Sequence, residues 1–266
     1  MTIKTLAIVG CGKLATIITD ALIEGFLPDY QLIGAFSRTV EKAKHIADKV
    51  QNAESGYTCA TCNSLDELLA LKPDYIIETA SPDSMKALAL PALRNGSSIV
   101  TLSIGAFADT EFYAEVKATA RENNTRVHLV SGAIGGFDVL RTVSLMGDCT
   151  ATFHTEKGPN SLKNTAVYEE SLQTEKRKVF EGNAQEAIAL FPTRVNVAVA
   201  ASLASVGPEN MKVSMTSTPG FTGDEHRIEV KSDQVHAVID VYSATAQIAG
   251  WSVVNTLRNI TSPIVF

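Results

Sequence analysis

The sequence predicts an α/β protein: a doubly wound parallel sheet joined to a second, α+β domain. Three observations carry this reading. Apolar runs of strand length alternate with amphipathic helical runs over residues 1 to about 125. A glycine-rich turn, Gly10-Cys11-Gly12-Lys13-Leu14-Ala15, stands between the first strand and the first helix. After Gly136 the pattern changes to an Ala-rich helix and short runs of alternating polarity.

Ile3 to Val9 reads as the first strand and Leu14 to Gly25 as the first helix. Between them, glycine at position 10 permits a tight turn and glycine at 12 lets backbone approach a pyrophosphate. Ala15 is small enough for the helix to pack closely on the strand. The N–H groups and positive dipole end of that helix then hold phosphates. Gly10, Gly12, Lys13 and Leu14 are therefore candidate contacts for a dinucleotide, and the domain reads as Rossmann-type. Ordinary turn glycines are the alternative; the strand–turn–helix placement argues against it.

The second strand, Gln31 to Phe36, should end where an acid would bind the ribose 2′-OH of NAD. It ends instead in Ser37-Arg38-Thr39. Two hydroxyls and a planar guanidinium suit a 2′-phosphate, so the loop favours NADP, with NAD possible. The alternative is that Ser37 and Thr39 only cap the helix that begins near Val40.

Ser64-Leu-Asp-Glu67 has the form of a capping box opening a helix. Asp74 to Thr79 is nearly continuous apolar sequence, as for a parallel strand buried on both faces. Ser81 is a plausible N-cap and Pro82 fits the first helical position of a segment that runs toward Arg94 and stops at Gly96. Ser98 to Leu102 is another buried strand, Asp109 to Glu122 an amphipathic helix, and Arg126 to Val130 a further short strand. Ligands bind at the carboxyl ends of such strands. Thr79-Ala80-Ser81, Ser103-Ile-Gly-Ala106 and Ser131-Gly-Ala-Ile-Gly-Gly136 fall there. Ala80, Ser81, Ser103 and Ala133 are thus candidate cofactor contacts and Ser131 a candidate substrate contact. The alternative is that these are simply turns rich in small residues.

In the later half, Asp138 to Met146 reads as a helix, Ala151 to Glu156 as a strand, and Gly158 to Lys176 as a polar surface loop. Asn183 caps a short helix ending at Phe191-Pro192, and Val195 to Val206 is an Ala-rich helix. Lys212 to Ser217, His226 to Lys231 and Val235 to Tyr242 alternate like antiparallel strands of a sheet with one covered face. A last helix runs from about Ala244 to Asn259. The expected division is a dinucleotide-binding domain over 1–125 plus 243–266 and a catalytic and dimerisation domain over 126–242.

A length of 266 residues suits two domains, and a net charge of -6 without any basic run argues against a nucleic-acid partner. No apolar stretch has the length of a membrane span, and the amino terminus reads as a core strand, not a removable signal peptide. A soluble, cytoplasmic protein is expected. The cysteines are Cys11, Cys59, Cys62 and Cys149. Cys59-Ala-Thr-Cys62 lacks a second pair or flanking histidines, so it reads as structural or incidental, with no metal expected.

Among the histidines, His45 lies in a polar helix, His128 in a short strand and His154 in the first strand of the second domain. His226 follows the loop Thr218-Pro-Gly-Phe-Thr-Gly-Asp-Glu225 and starts the strand Arg227-Ile-Glu-Val230. A histidine at a strand entrance beside a Gly/Pro loop can project into a cleft, and its ordinary pKa, about 6.5, suits proton transfer at neutral pH. The alternative is a solvated edge histidine.

Several blocks resemble the L-aspartate dehydrogenase family: Ser131-Gly-Ala-Ile-Gly-Gly-Phe-Asp138, Phe180-Glu-Gly182 with Ala187, Phe191-Pro-Thr-Arg-Val-Asn-Val-Ala198, and Ala106-Phe-Ala-Asp109. The similarity runs in order from the glycine turn to Leu257-Arg-Asn259. It implies reversible NAD(P)-dependent oxidative deamination of L-aspartate through iminosuccinate to oxaloacetate and ammonia. It makes His226, in His226-Arg-Ile-Glu-Val230, the catalytic histidine, and adds Asn196 and Thr245 as substrate contacts. For Asn196, capping the Ala-rich helix is the alternative. The sequence departs from the family's usual pattern at Ser37-Arg38, at Ser217-Thr-Pro219 and at Ser243-Ala-Thr-Ala246, where an Asn-Pro-Lys-Thr-like block is usual. Another amino acid or imine as substrate, or a non-catalytic NADP-binding regulator, are the alternatives. A homodimer is expected in either case.

Overall fold

The computed structural model describes residues 3–53, 56–192 and 194–266, in two compact units. The first comprises residues 1–106, 110–130 and 249–266. Its strands are β1 (Lys4–Val9), β2 (Tyr30–Phe36), β3 (Ala60–Cys62), β4 (Tyr75–Glu78), β5 (Ser98–Thr101) and β6 (Val127–Leu129). All pair in parallel in the order β3-β2-β1-β4-β5-β6. The chain leaves β1 toward β2 and returns across it to β4, so the strand order reverses between β1 and β4, where a doubly wound sheet binds its ligand.

Helices α1 (Lys13–Ile23), α2 (Val40–Asn52), α3 (Leu65–Ala70), α4 (Pro82–Arg94) and α5 (Thr110–Glu122) form the crossovers. Both faces of the sheet are therefore covered, and Leu6, Ala7, Ile8, Ile76, Ile77, Ile99 and Val100 are wholly buried. The caps follow the sequence. Ser81 accepts from the Ser84 N–H at 3.2 Å, with Pro82 in the first turn. Ser64 accepts from the Glu67 N–H at 3.1 Å, but the Glu67 carboxylate reaches back to the Asn63 N–H at 2.8 Å and not to Ser64 itself. The short β3 was missing from the sequence reading because a three-residue edge strand holds too little pattern.

The second unit comprises residues 107–109 and 131–248. It holds α6 (Phe137–Leu145), β7 (Thr150–Lys157), β8 (Arg177–Asn183), α7 (Ala184–Leu190), α8 (Asn196–Leu203), β9 (Lys212–Ser217), β10 (Asp224–Lys231) and β11 (His236–Ser243). The chain then enters α9 (Gln247–Thr261), whose part from Ala249 onward belongs to the first unit, where Val253, Val254 and Leu257 are buried. The units divide at 130/131 and 248/249, a few residues beyond the divisions read from sequence, because β6 pairs with β5 and α9 is shared.

Two expectations for this unit need correction, and one strand is added. The sheet is mixed, in the order β11-β10-β7-β9-β8, with β7 and β9 parallel, so β9 and β10 are not neighbours. The connection from β7 to β9 contains helices α7 and α8, and a crossover of that length permits parallel pairing. Residues 158–176 are not merely a surface loop: short 3-10 turns at Pro159–Leu162 and Glu170–Gln173 bury Leu162 and Leu172 completely. Arg177–Asn183 is a strand, hidden in the sequence by charge that suits a sheet edge. Asn183 ends it and opens α7 with a complete capping box to Glu186. Among the described residues no helix is long and apolar enough to cross a membrane.

The buried Leu172 gives a direct check on that connection. Leu172→Ala is expected to cost about 2–5 kcal/mol in chemical denaturation, where a side chain on a surface loop would cost almost nothing.

Candidate active site

In the first unit the glycine turn is locked from two sides. The Gly10 N–H donates to the Phe36 carbonyl at 2.9 Å, and Thr79 Oγ1 donates to the Gly10 carbonyl at 2.6 Å. Gly10 has φ of +90°, and a Cβ there would lie 2.7 Å from Ala80. Gly12 is different. It precedes α1 in extended backbone, and a Cβ there would meet nothing within 4 Å. The first N–H groups of α1, from exposed Lys13 and half-buried Leu14, have no partner within the helix, and with the open space beside Gly12 they suit a pyrophosphate cradle. Cys11 turns inward, its Sγ 3.5 Å from the Phe36 carbonyl, and burial pushes its thiol up to about 12. Burial likewise pushes Cys59 up to about 12, so neither supplies a thiolate nucleophile at neutral pH.

Wholly buried Glu78, at the end of β4, ties together the turns beside Gly10. Its Oε1 accepts from the Ala80 N–H at 2.8 Å, the Ser81 N–H at 3.1 Å and Ser103 Oγ at 3.0 Å; its Oε2 accepts from Thr101 Oγ1 at 2.7 Å. Burial pushes the carboxyl pKa up, while these donors pull it down. Ser103 thus spends its hydroxyl inside the sheet, and Ser81 uses its oxygen as a helix cap. Both hold the turn in shape.

Beyond β2, Arg38 is exposed and has no carboxylate partner among the described residues. Thr39 caps α2 through its carbonyl, which accepts from the Lys42 N–H at 3.0 Å; its hydroxyl makes no cap. The capping alternative therefore does not occupy the Thr39 side chain, and Ser37 stands half-buried beside it.

In the second unit, His226 is the third residue of β10 and only 2% exposed, which removes the solvated-edge alternative. Antiparallel register places Thr155 of β7 opposite His226 and Lys157 opposite Asp224. Ser217 of β9 stands opposite Lys157 on its other side. Alternation along each strand puts all five side chains on one face, together with Phe153, whose ring centroid is 5.6 Å from the imidazole. Lys157 is buried and ion-paired to Asp224. His226 Nδ1, Thr155 Oγ1 and Ser217 Oγ are buried with no hydrogen-bond partner among the described residues. Burial first, and the Lys157 charge second, push the imidazole down to about 4, against an opposing pull from Asp224. It is therefore neutral at pH 7 and can accept a proton.

The other candidates lie as follows. Ser131 accepts from the Ile134 N–H at 3.2 Å through its carbonyl, in a turn with half-buried Ala133. Asn196 is the first residue of α8 and not its cap, which is Val195. Thr245 is exposed just past β11, its hydroxyl accepting from the Gln247 N–H at 3.3 Å. His154 lies on the opposite sheet face, with Nδ1 2.9 Å from Ser214 Oγ. His128 packs against Tyr75 in the first unit, and His45 is exposed on α2. Sequence reasoning missed Glu78, Lys157 and Asp224. Each had a signal: an acid inside a run buried on both faces, and charges at inward-facing positions of alternating strands.

A Rossmann sheet with an open phosphate cradle, in one chain with a unit bearing a buried, neutral imidazole, defines the class of NAD(P)-dependent dehydrogenases. Residues 10–130 match the family model for the homoserine dehydrogenase NAD-binding domain, and residues 138–260 match that for the C-terminal part of aspartate dehydrogenase. The chain is 32% identical to an L-aspartate dehydrogenase of Methanococcus maripaludis over 97% of both chains, and 28% identical to one of Methanosarcina mazei over the same share. It belongs to the L-aspartate dehydrogenase family. The crystal structure of aspartate dehydrogenase from Thermotoga maritima has the same fold, with a TM-score of 0.73 over 99% of each chain at 24% identity. A hyperthermophilic archaeal homoserine dehydrogenase in complex with NADPH also shares it, at TM-score 0.63 and 12% identity over 99% of each chain.

The two glycines should respond differently to alanine. Gly12→Ala is expected to leave the melting temperature unchanged and weaken cofactor binding at least about tenfold, because its methyl group enters only the phosphate space. Gly10→Ala should cost roughly 1–3 kcal/mol of stability before any ligand is added. Thermal melts and cofactor titration separate the two.

His226 also sets a pH dependence. Because its folded pKa is lowered, the unfolded chain binds the extra proton first. Its contribution is complete above about pH 6.5 and is lost as pH falls toward 4, roughly 1–3 kcal/mol in all. Denaturation curves across that window should flatten in His226→Gln.

Proposed function

We propose that the chain catalyses reversible oxidative deamination of L-aspartate, using NADP in preference to NAD. L-Aspartate, oxidised cofactor and water give oxaloacetate, ammonium, reduced cofactor and a proton. The observation that carries the reading is the buried, neutral imidazole of His226, with Nδ1 unpartnered among the described residues, in a member of this family.

The nicotinamide, when bound, supplies the hydride acceptor in one direction and the donor in the other. Gly12 and the first turn of α1 hold the pyrophosphate, and the Glu78 network keeps the Ala80–Ser81 turn against Gly10. Ser37, Arg38 and Thr39 meet the 2′-phosphate, Ala133 is a further cofactor contact, and Ser131, Asn196 and Thr245 are substrate contacts. Hydride leaves Cα readily only when the neighbouring nitrogen has a free lone pair, so the substrate ammonium must first lose a proton. His226 Nδ1 takes it. Once that proton has been released to solvent, the neutral imidazole can serve again as base toward the water that attacks iminosuccinate. Phe153 and the burial of this face exclude competing water from the imidazole. The protein acts in the cytoplasm, and a homodimer forms through the second unit.

Two experiments test this. His226→Ala should lower turnover with oxaloacetate, ammonia and NADPH by roughly 10²–10⁴-fold while cofactor affinity stays nearly constant; full activity would remove His226 from the mechanism. Arg38→Ala should raise the KM for NADPH at least about tenfold and leave that for NADH within about twofold. Equal losses with both cofactors would contradict the NADP preference.

A further inference from the structure

We infer that Lys157, Ser217 and Thr155 form a subsite for a carboxylate of the substrate, on the same sheet face as His226. The subsite is read from geometry; its assignment to an amino dicarboxylate rests on the aspartate reading above.

The face is rich in unspent donors. An ammonium has three N–H donors, and the Lys157 group is only 8% exposed, with Asp224 as its ion-pair partner. Ser217 and Thr155 are 0% and 1% exposed, and neither hydroxyl oxygen meets a partner among the described residues. Hydroxyls cut off from both water and protein partners are disfavoured, so two such groups together with His226 Nδ1 on one face point to a ligand that completes them. A carboxylate offers about four lone-pair sites, and N⁺–H and O–H donors bind it more strongly than a neutral carbonyl. Register supplies the spacing. Ser217 pairs with Lys157, Thr155 with His226, and positions 155 and 157 are successive inward residues of one strand. Directly paired residues have Cβ atoms about 4.5–5.5 Å apart and diagonal ones stay within reach of long side chains. A carboxylate between Lys157 and Ser217 thus presents the amino-bearing part of the same small molecule to the imidazole.

Asp224 then acts as counter-ion to Lys157 and as competitor of the incoming carboxylate. This gives the test opposite signs at two positions. Succinate, and its uncharged diamide as control, are titrated calorimetrically into the full-length protein saturated with NADP. Lys157→Met should weaken succinate binding roughly 30-fold or more and remove most of the preference over the diamide, with Lys157→Arg recovering part of it. Asp224→Asn should tighten succinate binding several-fold, although it leaves Lys157 unpaired and lowers the melting temperature. Ser217→Ala, which deletes an unpartnered hydroxyl, should leave the fold at least as stable and weaken succinate binding several-fold. Unchanged succinate affinity in Lys157→Met, loss of affinity in both Lys157→Met and Asp224→Asn, or no succinate binding to the unaltered protein would overturn the subsite. Lys157-dependent succinate binding without any turnover of oxaloacetate would uphold the subsite and overturn the aspartate reading alone.

Discussion

Removing an imidazole and an ammonium from water side by side is the constraint from which the chemistry of this chain follows. Neither His226 nor Lys157 gains from burial on its own, and their mutual repulsion adds to the cost. The fold answers with Asp224, placed opposite Lys157 by antiparallel register, which balances the ammonium, while burial first and the Lys157 charge second keep the imidazole without its extra proton against the pull of Asp224. The neutral imidazole is thus the product of burial first and of the ammonium that register brings onto the same face second. The same burial leaves Nδ1 without a hydrogen-bond partner among the described residues.

The first unit meets the opposite requirement. Phosphates need exposed N–H groups, so side chains must be absent where they approach and rigidity must come from behind. Gly12 supplies the absence. Rigidity comes from Gly10 pressed on Ala80, and from Glu78 gathering donors from the turn after β4 and from the end of β5. A buried carboxylate with that many donors organises the backbone of two neighbouring turns at once, which an apolar side chain could not do.

The architecture was largely legible in the sequence because strand and helix periodicities differ and because caps such as Ser81-Pro82 and Asn183 are local signals. The glycine turn was legible for the same reason. What stayed hidden depends on contacts between residues distant in sequence. β8 is polar because it lies at a sheet edge, and its neighbour β9 runs parallel to β7, which no local pattern encodes. Lys157 and Asp224 lie just outside the strands read from the sequence, and only register places them opposite each other. His226 was singled out by its strand and loop, yet its burial could be read only from the strands on either side of β10.

The most direct measurement is an NMR titration of the His226 imidazole in the full-length protein, assigned by comparison with His226→Gln. The ring is expected to stay neutral through pH 6 and to take its proton only near pH 4. Protonation at about pH 6.5, the value of a solvated imidazole, would contradict the buried neutral base on which the mechanism depends.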